Sequence, residues 1–435
     1  MRQEQTEPTG KLTGGAANYP LPARKSRQTL GNMIFAAEKL LLTRMLESVG
    51  NPPLHVMLWN GEGVAHHGEG SVAKVLIHDR GALLKLVANP ELNFGRMYAD
   101  RRIDVQGNMM DFLDAVYRSW PRLSDGKFAK KLLAPFQEAR RNSLQSARRN
   151  IHHHYDIGND FYQLWLDKQM VYTCAYFSGQ NMSLEDAQTA KLDHVCRKLW
   201  LQPGEQVVEA GCGWGALALH MARHYGVSVK AYNISEEQIA FARQRAKDEG
   251  LDSQVEFIED DYRNIQGEFD AFVSVGMLEH VGIDHYQELG AVIDRTLKDG
   301  GRGLIHSIGR DYPRPMDAWI SEHIFPGACP PSLAQMMQIF EPFDFSILDV
   351  ENLRLHYAKT LEHWLQRYEI AAERISEMFD AAFVRTWRLY LAGSLAAFRS
   401  GDMQLFQVLF NRSGHNQIPW TRDYQYAAGG CNGKL

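Results

Sequence analysis

Apolar residues recur along this chain with two periods, and the order in which those periods alternate divides it. From Met33 to about Trp120 they follow a small α+β pattern. An amphipathic stretch, MIFAAEKLLLTRMLESV, precedes strand-like runs around LHVMLWN and AKVLIH and helical spacing around ALLKLVA and MMDFLDAVY. The polar, glycine-punctuated segment NFGRMYADRRIDVQG predicts a turn. From about Ile151 strand and helix patterns alternate regularly. QVVEA, SVKAYNI, VEFIE, AFVSV and GLIHSI read as strands, separated by helices such as SEEQIAFARQRAKDEG and YQELGAVIDRTLKD. That alternation predicts an α/β fold with a doubly wound parallel sheet, ligands lying at the carboxyl ends of its strands. Residues 310–342 interrupt it, and Trp319, Ile320, Ile324 and Phe325 predict an ordered apolar cap there. From Leu361 to Phe410 the chain reads as helical. Its aromatics, Trp364, Tyr368, Trp387, Tyr390, Phe398 and Phe406, read mostly as core, with a few suited to lining a hydrophobic tunnel.

These patterns give four segments: a flexible tail at 1–30, a small α+β domain at 31–121, a basic linker at 122–150 and a larger domain at 151–435. The linker carries eight basic residues between Arg122 and Arg149 against Asp125 and Glu138, in a chain whose net charge is −5. A solvated linker helix is one reading. The other is attraction to an anionic lipid surface, with Leu132, Leu133 and Phe136 entering beside the charges. The overall negative charge argues against a nucleic-acid partner.

The best apolar run is broken by Glu38, Lys39 and Arg44, so no membrane span is expected. The polar first 30 residues predict no secretion signal. Five cysteines, at 174, 196, 212, 329 and 431, are scattered and odd in number, which suits reduced thiols in the cytoplasm. No C-x-x-C pair predicts a zinc site. His152, His153 and His154 invite a metal reading, but adjacent side chains on one element point different ways and rarely chelate together.

The strand 206–210 ends in the order E-x-G-x-G-x-G, from Glu209 through Gly211, Gly213 and Gly215, and a helical segment follows. Strand, glycine turn and helix N-terminus make a ligand-binding corner. A dinucleotide fingerprint spaces its glycines differently, to receive a pyrophosphate on the helix. The order here resembles the first motif of class I S-adenosylmethionine methyltransferases, whose cofactor has no phosphate and carries an amino-acid end.

Further motifs narrow the resemblance. HYDIGNDFYQLWLD from His154, YTCAYF from Tyr172, VVEAGCGWG, NISEEQ from Asn233, DYR from Asp261, SVGMLEHVG from Ser274, LIHSIG from Leu304, IFPG from Ile324, HYAKTL from His356 and FRSGDMQLFQVLFNR from Phe398 follow one another in a family's order. The chain resembles the cyclopropane-fatty-acyl-phospholipid synthases and the related mycolic acid cyclopropane synthases. The FG-x-x-Y-x-D segment resembles the extra amino-terminal domain of the phospholipid-modifying members.

That resemblance implies a Rossmann-like methyltransferase domain with an acyl-binding cap, which transfers a methylene from S-adenosylmethionine to a cis double bond of a phospholipid acyl chain. It implies a peripheral place on the inner face of a membrane, with a homodimer also open. A bound bicarbonate is implied as base, in a pocket of Cys174, Glu279, His306 and Tyr357. Read from the residues alone, Glu279 and His306 are equally a strand-end polar pair. For the cofactor, Gly211 and Gly213 give close backbone approach beside Glu209. Tyr172, Asn233, Ser235 and Gln238 match positions around its ribose and methionine, and Asp261 and Tyr262 match positions flanking its adenine. Ser394 stands where these synthases commonly have cysteine, and Pro330 to Ser332 replaces a leucine-containing segment. Related enzymes giving a methyl or methylene branch, and a lipid-binding protein without catalysis, stay open as alternatives.

Overall fold

The computed structural model describes residues 24–65, 70–120 and 157–426. Helix α1 (Arg24–Ser48) begins inside the stretch 1–30 expected to be a tail. Strands β1 (Leu54–Leu58), β2 (Gly63–Ala65) and β3 (Ala73–Ile77) follow. Buried and half-buried residues alternate along β1 and β3, as in strands with one covered face. Asp79 caps α2 (Arg80–Ala88) by accepting from the Ala82 N–H.

The segment expected to be a turn is instead helix α3 (Pro90–Ala99) followed by strand β4 (Ile103–Gln106). Asn89 caps α3, and Pro90 sits in its first turn, where a missing N–H costs nothing. Helix α4 (Met109–Ser119) completes the module over a sheet of order β2-β1-β3-β4. The basic linker and the three histidines at 152–154 lie outside the described residues.

The larger unit is built on seven strands: β5 (Gln206–Ala210), β6 (Ser228–Asn233), β7 (Val255–Glu259), β8 (Phe269–Val275), β9 (Leu297–Gly309), β10 (Phe345–Asn352) and β11 (Gln404–Arg412). Their order is β10-β11-β9-β8-β5-β6-β7. The five strands from β9 to β7 pair in parallel, as expected. The sheet as a whole is mixed, because β11 runs antiparallel to both β9 and β10. Part of the stretch read as helical, 404–410, is thus a strand, and Phe406 belongs to it. The chain moves outward from β5 through β6 to β7 and then crosses to β8 on the other side of β5. The carboxyl ends of β5 and β8 therefore flank the topological switch point, where open α/β sheets bind ligands.

The cap is ordered. Asp317 accepts from the Ile320 N–H to start the helix Ala318–His323, and Trp319 and Ile324 are buried. One apolar core runs from Leu42 and Leu83 of the amino-terminal module through Trp319, Trp364 and Trp387 to Leu405. Arg385 pins the two units together from the helix Ala381–Ser400. It donates to the Tyr98 and Ile103 carbonyls at 2.5 and 3.1 Å and to Asp104 Oδ1 at 2.7 Å.

Candidate active site

Three glycines shape the turn after β5, and two of them are required by packing. Gly211, at φ +85°, and Gly215, at φ +83°, lie so close to Met277 and Phe257 that an added Cβ would come within 2.9 and 2.6 Å of those side chains. Gly213, at φ +54°, differs: a Cβ there meets no protein atom within 4 Å, and the residue lines a cavity at the switch point. A ligand can thus approach the backbone at Gly213. The same cavity is lined by Tyr172, Glu209, Gly211, Asn233, Gln238, Asp261 and Tyr262.

Asn233 ends β6. Its amide donates to Gln238 Oε1 at 2.7 Å, while its own Oδ1 accepts from the Ile234 N–H at 2.8 Å. Asp261 is held by Arg263, whose Nη1 lies 3.2 Å from Oδ2. Ser235 does not line the cavity. Its hydroxyl accepts from the Gln238 N–H at 3.4 Å and caps the helix Glu236–Asp248, so it positions Gln238. His280, expected beside Glu279 at the fourth strand end, also lines the cavity, as do Thr173, Lys191 and Met277, which were not singled out from the sequence.

Of the expected base pocket, Glu279 meets β9 at residue 308, two positions from His306, while Cys174 and Tyr357 share the Leu353 carbonyl. His306 on β9 pairs with Val275 of β8 and with Gln407 of β11. It is almost fully buried, and burial drives its pKa down to about 3, keeping the ring neutral. The Gln407 amide donates to its Nδ1 at 3.0 Å, an arrangement that leaves the ring N–H on Nε2. Glu279 follows β8 on the short helix Leu278–Val281; its Oε1 accepts from the Ile308 N–H at 2.6 Å, and because the neighbouring Ser307 hydroxyl donates to the Ile308 carbonyl at 2.9 Å, the buried Oε2 has no hydrogen-bond partner. Burial raises its pKa to about 7. Glu279 and His306 are thus not hydrogen-bonded to one another, which removes the bland strand-end pairing.

Cys174 is fully buried, with its Sγ directed to the Ala175 carbonyl at 3.1 Å and the Leu353 carbonyl at 3.9 Å. Burial pushes this thiol far above its usual range. The same Leu353 carbonyl accepts from the backbone of Tyr357, whose ring lies 4.6 Å from that of Phe398. Around these residues stand Tyr162, Trp165, Tyr172, Trp364 and Trp387, with the Tyr172 and Tyr390 hydroxyls 2.8 Å apart.

A larger cavity, about 590 Å³, lies between the end of α4 and the loops 311–314 and 401–404. Its lining glycine, Gly401, ends the helix Ala381–Ser400 and does not follow a strand of the sheet. Its arginines are committed, Arg314 to Asp402 and Arg354 to the carbonyls of Phe398 and Arg399.

A glycine turn at the switch point of a seven-stranded sheet, with Asn233 and Asp261 at the next two strand ends, defines a class I S-adenosylmethionine-dependent methyltransferase. The family of mycolic acid cyclopropane synthetases matches residues 142–408, and the chain belongs to it. A domain of unknown function matches residues 41–124. The cyclopropane-fatty-acyl-phospholipid synthase of Escherichia coli strain K12 is 43% identical over 288 residues, 65% of this chain and 74% of that protein. A Pseudomonas putida protein described as a probable fatty acid methyltransferase is 34% identical over 385 residues, 86% and 96% of the two chains. Among solved structures, mycolic acid cyclopropane synthase CmaA1 complexed with SAH and CTAB is 28% identical. It superposes with a TM-score of 0.58, covering 61% of this chain and 98% of that one.

The open space at Gly213 gives a direct check. Gly213→Val is expected to abolish S-adenosylmethionine binding by calorimetry on folded protein, because a branched Cβ enters that space and a β-branched residue resists φ +54°. Undiminished affinity would remove the cofactor from this cavity.

Proposed function

We propose that the protein transfers a methylene from S-adenosylmethionine to a cis double bond of an unsaturated phospholipid acyl chain, forming a cyclopropane fatty acid. The observation that carries this reading is the buried Glu279 carboxyl, with Oε2 unpartnered and a pKa near 7, behind the cofactor cavity. When bound, S-adenosylmethionine supplies an electrophilic methyl group. The protein aligns that end of the cavity with an acyl chain in a dry, aromatic enclosure, since an isolated alkene is a weak nucleophile and needs alignment more than activation.

Methylation of the alkene places positive charge on the acyl chain. The faces of Tyr172, Trp364 and neighbouring rings stabilise such charge without attacking it. Ring closure then requires a proton to leave the new methyl group. Cys174, Glu279, His306 and Tyr357 suit a small hydrogen-bonded anion such as bicarbonate as the base. Ionised Glu279 takes up, on Oε2, the proton of that anion, and neutral His306 offers its Nε2 N–H.

The second reading is a fatty acyl methyltransferase giving a methyl- or methylene-branched chain. Ser394, half-buried on the helix Ala381–Ser400, favours it by removing a thiol from the family's usual set. The replaced segment at Pro330 has a simpler account, since Ser332 opens a helix there with a reciprocal side-chain cap to Gln335.

The product separates the readings, and mass does not, because cyclopropane and methylene products are isomers. Proton NMR of lipids made from a cis-unsaturated phospholipid is expected to show strongly shielded ring protons; olefinic methylene signals in their place would establish the branched reading. We further assign the excess of six positive charges between Arg122 and Arg149 to holding the protein peripherally on an anionic, inner membrane surface. No described helix is long and apolar enough to cross a membrane. Replacing Lys130, Lys131, Arg140 and Arg141 with glutamine is expected to flatten the salt dependence of binding to anionic vesicles. Identical salt curves would make the segment an ordinary linker.

A further inference from the structure

The cofactor cavity contains a lysine that its cofactor makes conspicuous. Lys191 projects from the helix Leu184–Lys198, is only 2% exposed and lines the cavity. Its ammonium donates to Thr173 Oγ1 at 3.0 Å. The nearby carboxylate of Asp167 is already served by the backbone N–H groups of Val171 and Gln169, at 2.8 and 2.9 Å. Burial lowers the Lys191 pKa to about 8, against the raising pull of Asp167, Cys174 and Glu209.

Glu209 lines the same cavity, also 2% exposed. The Ala218 N–H serves its carboxylate, but Oε2 has no hydrogen-bond partner. Burial raises its pKa to about 8. A buried carboxylate oxygen and a buried ammonium thus face one cavity without bonding to each other, and each costs desolvation energy that a ligand of opposite charge offsets.

S-adenosylmethionine carries a sulfonium and an α-ammonium, both positive, and an α-carboxylate. A fixed cation in its cavity repels the first two and attracts only the third. We propose that Lys191 and Glu209 form a cradle for the zwitterionic end of the cofactor, Lys191 receiving the α-carboxylate and Glu209 Oε2 the α-ammonium. This rests on S-adenosylmethionine as the cofactor and adds Lys191 to its site. The cradle anchors the amino-acid end, so that the sulfonium methyl is presented toward the base pocket and not back toward the lysine.

Calorimetry with four ligands tests the assignment. S-adenosylmethionine and S-adenosylhomocysteine carry both charges of the amino-acid end, decarboxylated S-adenosylmethionine carries the ammonium alone, and 5′-methylthioadenosine carries neither. Lys191→Met is expected to weaken the first two by about 10- to 100-fold, the range for losing a charge-assisted hydrogen bond, to tighten decarboxylated S-adenosylmethionine, whose two positive charges it no longer repels, and to leave 5′-methylthioadenosine unchanged. Glu209→Gln is expected to weaken every ligand that retains the ammonium and to spare 5′-methylthioadenosine, and it reads the cradle independently should Lys191→Met misfold. Lys191→Arg is expected to restore part of the lost affinity. An equal loss for all four ligands would make Lys191 a packing residue, and no loss for any would take it out of the cofactor's reach. Failure of the wild type to bind any of the four would count instead against the cofactor itself.

Discussion

Glu279→Gln is expected to lower turnover by about 10²- to 10⁴-fold, the usual range for a positioned proton-transfer group, with S-adenosylmethionine affinity nearly unchanged. The substitution keeps the carbonyl oxygen that accepts from the Ile308 N–H at 2.6 Å, so the local backbone is held as before. It replaces the unpartnered Oε2 with an amide nitrogen that donates but takes up no proton. Unlike Glu209, the residue is outside the set that lines the cofactor cavity, which is why binding and turnover separate. Turnover near the wild-type level would dismiss the base pocket.

The pH dependence identifies the group. Burial raises Glu279 to about 7, so the ionised, proton-accepting fraction, and turnover with it, rises with pH through about 7. His306 is held at about 3 and stays neutral throughout that window, so it does not produce the limb. Glu279→Gln is expected to lose the limb as well as the rate. The stability effect has a definite sign. The folded carboxyl holds its proton more tightly than the unfolded one, so the stability it contributes is present at low pH and is lost as pH rises from about 4.5 to about 7. Melting curves of the variant are expected to show a smaller decline, since buried Glu209, raised to about 8, contributes one of the same sign.

Much of this site was legible because it is written in short sequence intervals. The glycine turn, Asn233 and Asp261 each stand at the end of a strand that reads as one, and the parallel rule places strand ends together. Lys191 was missed because KLDHVCRK looks like a charged surface helix. Its signal was positional: Leu184, Ala187, Gln188, Leu192 and Val195 form one buried stripe at helical spacing, and Lys191 lies on it. Strand β11 was misread because it is buried on both faces, which erases the period of two. The helix α3 was obscured by Gly95, although the Asn89 cap and Pro90 signalled its start. Nothing local reveals why a glycine belongs in that helix; the reason is a residue more than two hundred positions later.

That residue is Trp319, and Trp319→Ala is expected to destabilise the whole described fold by about 3–5 kcal/mol, the range for deleting a buried indole. The indole is 5% exposed and lies so close to Gly95 that a Cβ there would come within 2.4 Å of its Nε1. Gly95→Ala alone improves helix propensity by about 1 kcal/mol, yet is expected to be net destabilising, because overpacking costs about 1–3 kcal/mol. Combined with Trp319→Ala, the same substitution is expected to become neutral or stabilising, since the atoms it strikes are gone. A sign change of that kind in a double-mutant cycle marks direct contact across the seam. The core runs without a break from Leu83 through Trp319 to Trp364, and Arg385 ties the Tyr98 and Ile103 carbonyls to the larger unit. Calorimetric unfolding should therefore show one transition that Trp319→Ala shifts as a whole. Two transitions, with only one shifted, would mean that the amino-terminal module and the methyltransferase unit fold as separate bodies, and that the acyl enclosure is built by the larger unit alone.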